Sequence, residues 1–158
     1  MTAKVILVMR HGEKSDDPLD PDLTPAGKAR AQRLAQYIPA TFGKPKWLFA
    51  TAASKHSRRP IQTLEPLARQ CHLTIDETYA DQDYGALAHH LRKSDAFDGA
   101  LVVVCWHHGN VPPMMHALKA SAGDYPDPWK GDVFDLILQV KFAKDRETPE
   151  VTKVREPF

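Results

Sequence analysis

Arginine, histidine and glutamate directly follow the first apolar run of the chain. The run is VILVM, residues 5–9, and Arg10, His11, Gly12 and Glu13 come next. A neutral imidazole can attack phosphorus, and the planar donor fork of arginine matches the oxygens of a phosphoryl group. The charge of Arg10 beside His11 would also disfavour the imidazolium form. These neighbours are therefore candidates for phosphoryl-transfer chemistry, although an isolated R-H-G also fits a structural histidine.

A pair of histidines follows another apolar run. LVVVCW, residues 101–106, leads directly into His107, His108 and Gly109. Short, continuous, β-branched runs are typical of central strands that are covered on both faces. The carboxyl ends of parallel strands meet at one edge of a sheet, where ligands bind. We therefore expect this pair and His11 to lie over one crevice.

The elements that would position these residues alternate between strand and helix. Apolar runs predict strands at 4–9, 47–51, 72–75, 101–106 and 132–140. Apolar residues three or four apart predict helices at 26–38, 61–71, 83–93 and 112–120. The first helix is expected to start at Thr24, with Pro25 in the first helical position, and to end before Pro39.

This alternation predicts an α/β fold, a single three-layer domain with a mostly parallel sheet flanked by helices. The chain has 158 residues, of which 42% are hydrophobic, enough for one domain with its own core. We assign residues 1–140 to that domain. Residues 141–158 are charged and lack an apolar period, so they are expected to form a C-terminal tail that is solvated or packed on the domain.

Four motifs follow one another along the chain: R-H-G-E at 10–13, LTPAGKARAQRLA at 23–35, SRRPIQT at 57–63 and WHHGN at 106–110. Together they resemble the histidine phosphatase superfamily, also called phosphoglycerate mutase-like. The second motif departs from the family pattern L-T-x-x-G-x-x-Q-A, because its glutamine is displaced to Gln32. The resemblance implies a phosphoglycerate mutase-like fold and makes His11 the nucleophile and Arg10 a phosphate ligand.

The same resemblance implies a second phosphate-binding arginine, whose register is ambiguous. Counting back from Gln62 and Thr63 in the pattern R-x-x-Q-T selects Arg59, whereas counting forward from Ser54 selects Arg58. Helical spacing tolerates no slippage, so Arg59 is favoured.

In WHHGN, His108 directly precedes glycine and takes the place of the family's second catalytic histidine. His107 is then expected to be its neighbour rather than the counterpart.

A fifth segment offers a proton donor. DQDYGAL, residues 81–87, is similar to the mutase segment E-R-H-Y-G-A-L, in which the glutamate donates a proton. Asp81 takes the place of that glutamate, and Asp83 is a second candidate. Either aspartate also fits the start of a helix, where this residue type is favoured.

The resemblance implies a phosphatase that hydrolyses a phosphomonoester through a phosphohistidine on His11, without metal or other cofactor. The alternatives are a phosphohistidine protein phosphatase, phosphoglycerate mutase-type transfer and a non-catalytic phosphate-binding domain. The limited length, with little room for a lid, favours hydrolysis over transfer. The other ring nitrogen of His11 is expected to donate to a backbone carbonyl of its own loop, which fixes the tautomer.

Composition narrows the classes of partner. With a formal net charge of +1, the chain has no strong positive potential that would attract a polyanion. The expected partner is therefore a small-molecule or protein phosphate rather than nucleic acid. The apolar run near the amino terminus is too short for a signal peptide or a membrane span, so a cytoplasmic protein is expected. Cys71 and Cys105 are expected to be reduced thiols. The histidine spacing matches no metal motif, and the sequence makes no prediction of oligomeric state.

Overall fold

A six-stranded sheet runs through the centre of the protein. The computed structural model describes residues 4–143 and 146–158, so the parts of our predictions on residues 1–3 and 144–145 lie outside the described residues. The strands are β1 (Lys4–Arg10), β2 (Trp47–Ala50), β3 (Ile75–Asp76), β4 (Leu101–Trp106), β5 (Leu136–Phe142) and β6 (Glu150–Arg155). Their order is β3-β2-β4-β1-β5-β6. Strands β1 to β4 are parallel, and β5 pairs antiparallel with β1 and β6.

Helices cover both faces of the sheet. They are α1 (Pro25–Phe42), α2 (Arg59–Cys71), α3 (Tyr84–Lys93) and α4 (Val111–Ala117), and short 3₁₀ turns span Asp81–Asp83, Asp95–Phe97 and His108–Asn110. Ile6 and Val8 of β1 belong to the core cluster that holds the buried side chains of α3 and α4. Leu7 and Met9 belong to the cluster with α1 and α2. Alternate residues of one apolar strand thus serve two cores, and the predicted three-layer α/β domain is confirmed.

The C-terminal segment is part of the sheet. Residues 141–158 were expected to form a charged tail, but β5 continues to Phe142 and β6 adds a further strand within the segment. Val151 and Val154 of β6 are each packed against one of the two cores, and the charged residues of the strand are exposed. An edge strand of this kind is stabilised by pairing with β5 and is kept soluble by its charges. Of the two alternatives for this segment, the structure has residues of β6 packed on the domain rather than solvated.

Several predicted boundaries also differ from the structure, two of them for clear physical reasons. The last predicted strand, 132–140, begins only at Leu136, because residues 131–135 form turns that lead into β5. Helix α1 continues through Pro39 to Phe42, and the Pro39 carbonyl accepts from the Gly43 N–H at 3.2 Å. A proline this close to the end removes one intrahelical donor, which is not enough to end the helix there.

Cys71 and Cys105 are both free and buried. Burial raises the pKa of each thiol, which keeps both protonated at neutral pH. No described helix is long and apolar enough to cross a membrane.

Candidate active site

The ends of β1 and β4 bring two histidines together. Arg10 and Trp106 pair as the last residues of the two strands, and the His11 N–H donates to the Trp106 carbonyl at 3.2 Å. His11 and His107 are therefore each the first residue beyond a strand, at the same level of the sheet. Their rings meet edge to face with 5.4 Å between centroids.

His11 is buried and neutral. The residue is 2% exposed, and Nδ1 lies 2.7 Å from the carbonyl oxygen of Gly12. Because a carbonyl only accepts, Nδ1 carries the proton and Nε2 is left with its lone pair free. Burial lowers the pKa of His11 to about 2, assisted by Arg10, His107 and Arg59 and opposed by the Gly12 hydrogen bond. The structure thus contains the predicted tautomer-fixing hydrogen bond.

Arg10 presents unpaired donors beside His11. Its Nη1 donates to the Gly131 carbonyl at 2.7 Å, and its guanidinium carbon lies 3.9 Å from the ring centroid of Phe134. Within residues 4–143 and 146–158, Nε and Nη2 have no hydrogen-bond partner although both are buried. Burial lowers the pKa of Arg10 to about 10, and the charge of Arg59 contributes. Unpaired buried donors of this kind are suited to an anion.

Arg59, rather than Arg58, faces the site. Arg59 is the first residue of α2, its Nη1 donates to the Asp20 carbonyl at 2.8 Å, and its buried Nε has no partner among the described residues. Arg58 is exposed. Arg59, the residue selected by counting back from Gln62, therefore lines the site, and Arg58 lies outside the site.

The rest of the R-x-x-Q-T motif fixes the neighbouring loop. The Gly12 N–H donates to Thr63 Oγ1 at 3.0 Å, and that hydroxyl donates to the Arg59 carbonyl at 2.8 Å. Gln62 accepts from the Leu23 N–H at 2.9 Å and donates to Asp22 at 2.7 Å. Helix α2 thus binds both ends of the segment from Gly12 to Leu23.

Two glycines allow α1 to approach the same loop. A Cβ on Gly27 would lie 2.5 Å from the Glu13 carbonyl oxygen, and one on Gly12 would lie 3.0 Å from the Gly27 oxygen. Thr24 caps α1 by accepting from the Gly27 N–H at 3.1 Å. The conformation of the loop therefore requires the glycines of R-H-G-E and L-T-x-x-G for close backbone packing.

Glu13 is a structural member of its motif. Arg30 of α1 donates to both carboxylate oxygens of Glu13, at 2.9 and 3.0 Å, and to Glu156 at 2.6 Å. Burial by itself would raise the pKa of Glu13, but the hydrogen bonds and charge of Arg30, a backbone hydrogen bond and the charge of Arg10 together outweigh it, and the pKa is lowered. Burial does raise the pKa of Glu156 to about 7. One arginine thereby joins the loop of His11 to the chain after β6.

Asp81 lies at the edge of the site, whereas Asp83 does not. Asn110 donates to Asp81 Oδ2 at 2.9 Å, Trp106 donates to the Asp81 carbonyl at 3.0 Å, and the buried Oδ1 has no partner among the described residues. Asp83 is exposed, and its carboxylate accepts from the Ala80 N–H at 3.3 Å. The structure thus gives Asp83 the helix-start role and leaves Asp81 as the candidate acid.

The second histidine differs from the sequence prediction. His107, not His108, packs against His11. His108 points toward the loop after α4, where a Cβ on Gly131 would lie 3.6 Å from its Nε2. Burial lowers the pKa of His107, although the charge of Asp81 acts in the opposite direction. Burial is also the largest cause of the lowered pKa of His108, and the charge of Arg10 is the next largest. His107 therefore packs against His11, and the role predicted for His108 stays a prediction.

A cleft opens from these residues to the surface. It encloses about 530 Å³, and its walls include Arg59, Asp81 and His107 together with Ser54, His56 and Gln82. A space of this size accommodates a small phosphorylated molecule or a phosphorylated side chain. The described residues contain no group of three or more histidine, cysteine, aspartate or glutamate side chains that could hold a metal ion.

Comparison with known proteins identifies related sequences and folds. The family model described as the histidine phosphatase superfamily (branch 1) matches residues 6–117. No curated protein matches the chain. The structure of the protein histidine phosphatase SixA complexed with tungstate is similar at a TM-score of 0.68 and 16% identity, over 96% of each chain.

Two further solved structures extend the likeness. A mycobacterial glucosyl-3-phosphoglycerate phosphatase in complex with VO3 aligns at a TM-score of 0.66 and 16% identity, over 97% of this chain and 99% of that one. A phosphoglycerate mutase from Plasmodium falciparum aligns at 0.62 and 13% identity, over 100% of this chain and 91% of that one. The expectation of a phosphoglycerate mutase-like fold is confirmed.

Proposed function

Because the chain belongs to the histidine phosphatase superfamily, branch 1, we propose that it hydrolyses a phosphomonoester through a phosphohistidine on His11. The observation that carries this proposal is the free lone pair of His11 Nε2 next to unpaired guanidinium donors. Nδ1 is committed to the Gly12 carbonyl, and Arg10 and Arg59 both carry buried nitrogens without partners in the described chain. A nucleophile and an oxyanion pocket are thus adjacent.

In the first proposed step, Nε2 of His11 forms a bond to phosphorus while the bond from phosphorus to the ester oxygen breaks. Arg10, Arg59 and His107 stabilise the charge on the three equatorial oxygens. Asp81 donates a proton to the leaving alkoxide from Oδ1, the oxygen that Asn110 does not occupy.

In the second proposed step, water attacks the phosphorus and the nitrogen–phosphorus bond breaks. Asp81, now ionised, accepts a proton from this water, and inorganic phosphate leaves. His11 returns to its neutral form with Nδ1 still bound to Gly12. The cycle consumes water and restores both side chains.

The assay is phosphate release by the purified protein from p-nitrophenyl phosphate, with and without chelator, followed by a panel of a sugar phosphate, a phosphopeptide and a phosphohistidine peptide. We expect turnover that chelator does not abolish. Turnover of phosphohistidine alone would assign a phosphohistidine protein phosphatase, and isomerisation of a phosphoglycerate would assign a mutase. No turnover of any substrate would contradict the proposal and favour a phosphate-binding domain.

A further inference from the structure

The guanidinium of Arg10 is oriented from one loop. Of the described residues, Gly131 provides its hydrogen bond, at 2.7 Å, and Phe134 provides its aromatic contact, at 3.9 Å. Both belong to the segment between α4 and β5, which lies outside residues 6–117 and outside the four sequence motifs.

This segment, residues 129–134, is itself fixed. The Trp129 side chain is 4% exposed and belongs to the core cluster with α3 and α4. Its Nε1 donates to the Val133 carbonyl at 3.0 Å, and the Val133 N–H donates to the Lys130 carbonyl at 3.1 Å. The loop therefore presents the Gly131 carbonyl and the Phe134 ring from an anchored turn.

The two contacts leave one particular edge of Arg10 free. The ring of Phe134 covers a face of the guanidinium, and Gly131 occupies Nη1. The remaining donors, Nε and Nη2, lie side by side on the guanidinium and form the fork that binds two oxygens of one phosphoryl group. These are the two Arg10 nitrogens without partners in the described chain.

We infer that Phe134 is a positioning residue, which with the Gly131 carbonyl aims the Nε and Nη2 fork of Arg10 at the phosphoryl group on His11. This inference rests on the proposed function. Phe134 is half-buried and belongs to neither cluster of described core residues, so its ring is not explained by core packing. A cation held over an aromatic face is attracted to the negative centre of the ring and loses freedom to rotate.

The test compares variants of Phe134 in kcat/KM for p-nitrophenyl phosphate and in inhibition by phosphate and vanadate. Phe134→Leu is expected to lower kcat/KM about tenfold, which lies between the effects of an exposed and a fully desolvated cation–π contact. Vanadate, which resembles the transition state, should lose more affinity than phosphate, because it depends more on the aim of Arg10. Phe134→Tyr retains an aromatic face and should restore both values.

A matched control and a shape-preserving variant separate positioning from folding. The half-buried ring of Phe42 at the end of α1 packs on Tyr37, with 5.9 Å between the centroids, so Phe42→Leu makes the same replacement elsewhere and should leave kcat/KM unchanged. Trifluorophenylalanine at position 134 keeps the shape but weakens the negative face, and an intermediate loss is expected. This variant decides the question if Phe134→Leu fails to fold.

The outcomes distinguish this inference from the proposed function. An active wild type whose Phe134→Leu and trifluorophenylalanine variants keep its kcat/KM and vanadate inhibition would overturn the inference alone. A wild type that neither turns over p-nitrophenyl phosphate nor binds vanadate would overturn the proposed function and this inference with it.

Discussion

Adjacent arginines at the start of α2 have different surroundings. Arg59 lines the cleft and has a buried Nε without a hydrogen-bond partner among the described residues, whereas Arg58 is exposed. Arg59→Ala should therefore lower kcat/KM by at least about 30-fold, or about 2 kcal/mol of transition-state stabilisation lost from a preorganised anion site. Arg58→Ala should change it by less than about threefold. Steady-state kinetics of both variants provide the measurement, and a larger loss in Arg58→Ala would restore the register counted from Ser54.

The role of Asp81 can be tested by comparing the effect of Asp81→Asn on substrates with different leaving groups. An alkyl phosphate expels a poor leaving group that needs a proton, whereas p-nitrophenolate leaves without one. Asp81→Asn should therefore slow hydrolysis of a sugar phosphate by about 100-fold and that of p-nitrophenyl phosphate far less. Asp83→Asn, which alters only an exposed carboxylate, is the matched control. Equal losses on both substrates would make Asp81 a structural residue.

At the scale of elements, one helix connects the catalytic loop to the last strand. In the family pattern L-T-x-x-G-x-x-Q-A, the third residue after the glycine is glutamine, and here that position is Arg30. Its side chain reaches Glu13 on one side and Glu156 on the other. The C-terminal segment, which the sequence pattern left as a tail, is thereby joined to the loop of His11.

Removing Arg30 should destabilise the fold, because it leaves the carboxylates of Glu13 and Glu156 without their ion-pair partner. Arg30→Ala is expected to lower the free energy of unfolding by about 3 kcal/mol. The loss should be larger at pH 8 than at pH 5, since burial raises the pKa of Glu156 to about 7 and the carboxyl is protonated at the lower pH. Urea denaturation at the two pH values measures this.

The control for Arg30 is an exposed ion pair on β6. Arg155 donates to Asp135 at 2.7 Å, but the two side chains are 62% and 42% exposed. Arg155→Ala should therefore change stability by less than about 1 kcal/mol. Equal losses in the two variants would mean that the Arg30 network contributes no more than a surface pair.

At the scale of the whole molecule, the buried histidine makes stability depend on pH. The pKa of His11 is lowered from 6.5 to about 2, mainly by burial. Between these values the unfolded chain binds a proton at this position and the folded chain does not, so the free energy of unfolding falls as the pH falls below 6.5. His11→Asn should reduce that dependence by about 1.4 kcal/mol per pH unit.

Chemical denaturation between about pH 6 and pH 4 measures this slope. The exposed His89 of α3 provides the control substitution, His89→Asn. A slope in His11→Asn equal to that of the wild type would show that His11 does not resist protonation in the folded protein.

The parts of the fold that were predictable are those set by local patterns. Continuous apolar runs identified β1 and β4, and Thr24 with Pro25 identified the start of α1. Strand β6 was missed because an edge strand that carries several exposed charges has the same composition as a solvated tail. Its pairing with β5 is a long-range contact that no short window of sequence contains.

The site was predictable at the level of motifs, and helical spacing selected Arg59, but the placement of the two adjacent histidines was not predictable. His108 was selected because it directly precedes glycine in the motif. In the structure Arg10 pairs with Trp106, so His11 lies level with His107. Phe134 was not recognised, because its contact with Arg10 depends on a turn far along the chain. Side-chain direction reverses at each residue of an extended segment, so an error of one residue changes the partner.

Hydrolysis is proposed to proceed through a phosphoryl group bound covalently to His11. Rapid quenching of the wild-type protein during turnover of radiolabelled p-nitrophenyl phosphate should trap label that is acid-labile and base-stable, the behaviour of a phosphohistidine, and peptide mapping should place it on His11. His11→Asn, shown to be folded by circular dichroism, should give neither label nor turnover. Label on another residue, or an undiminished rate in His11→Asn, would contradict the account.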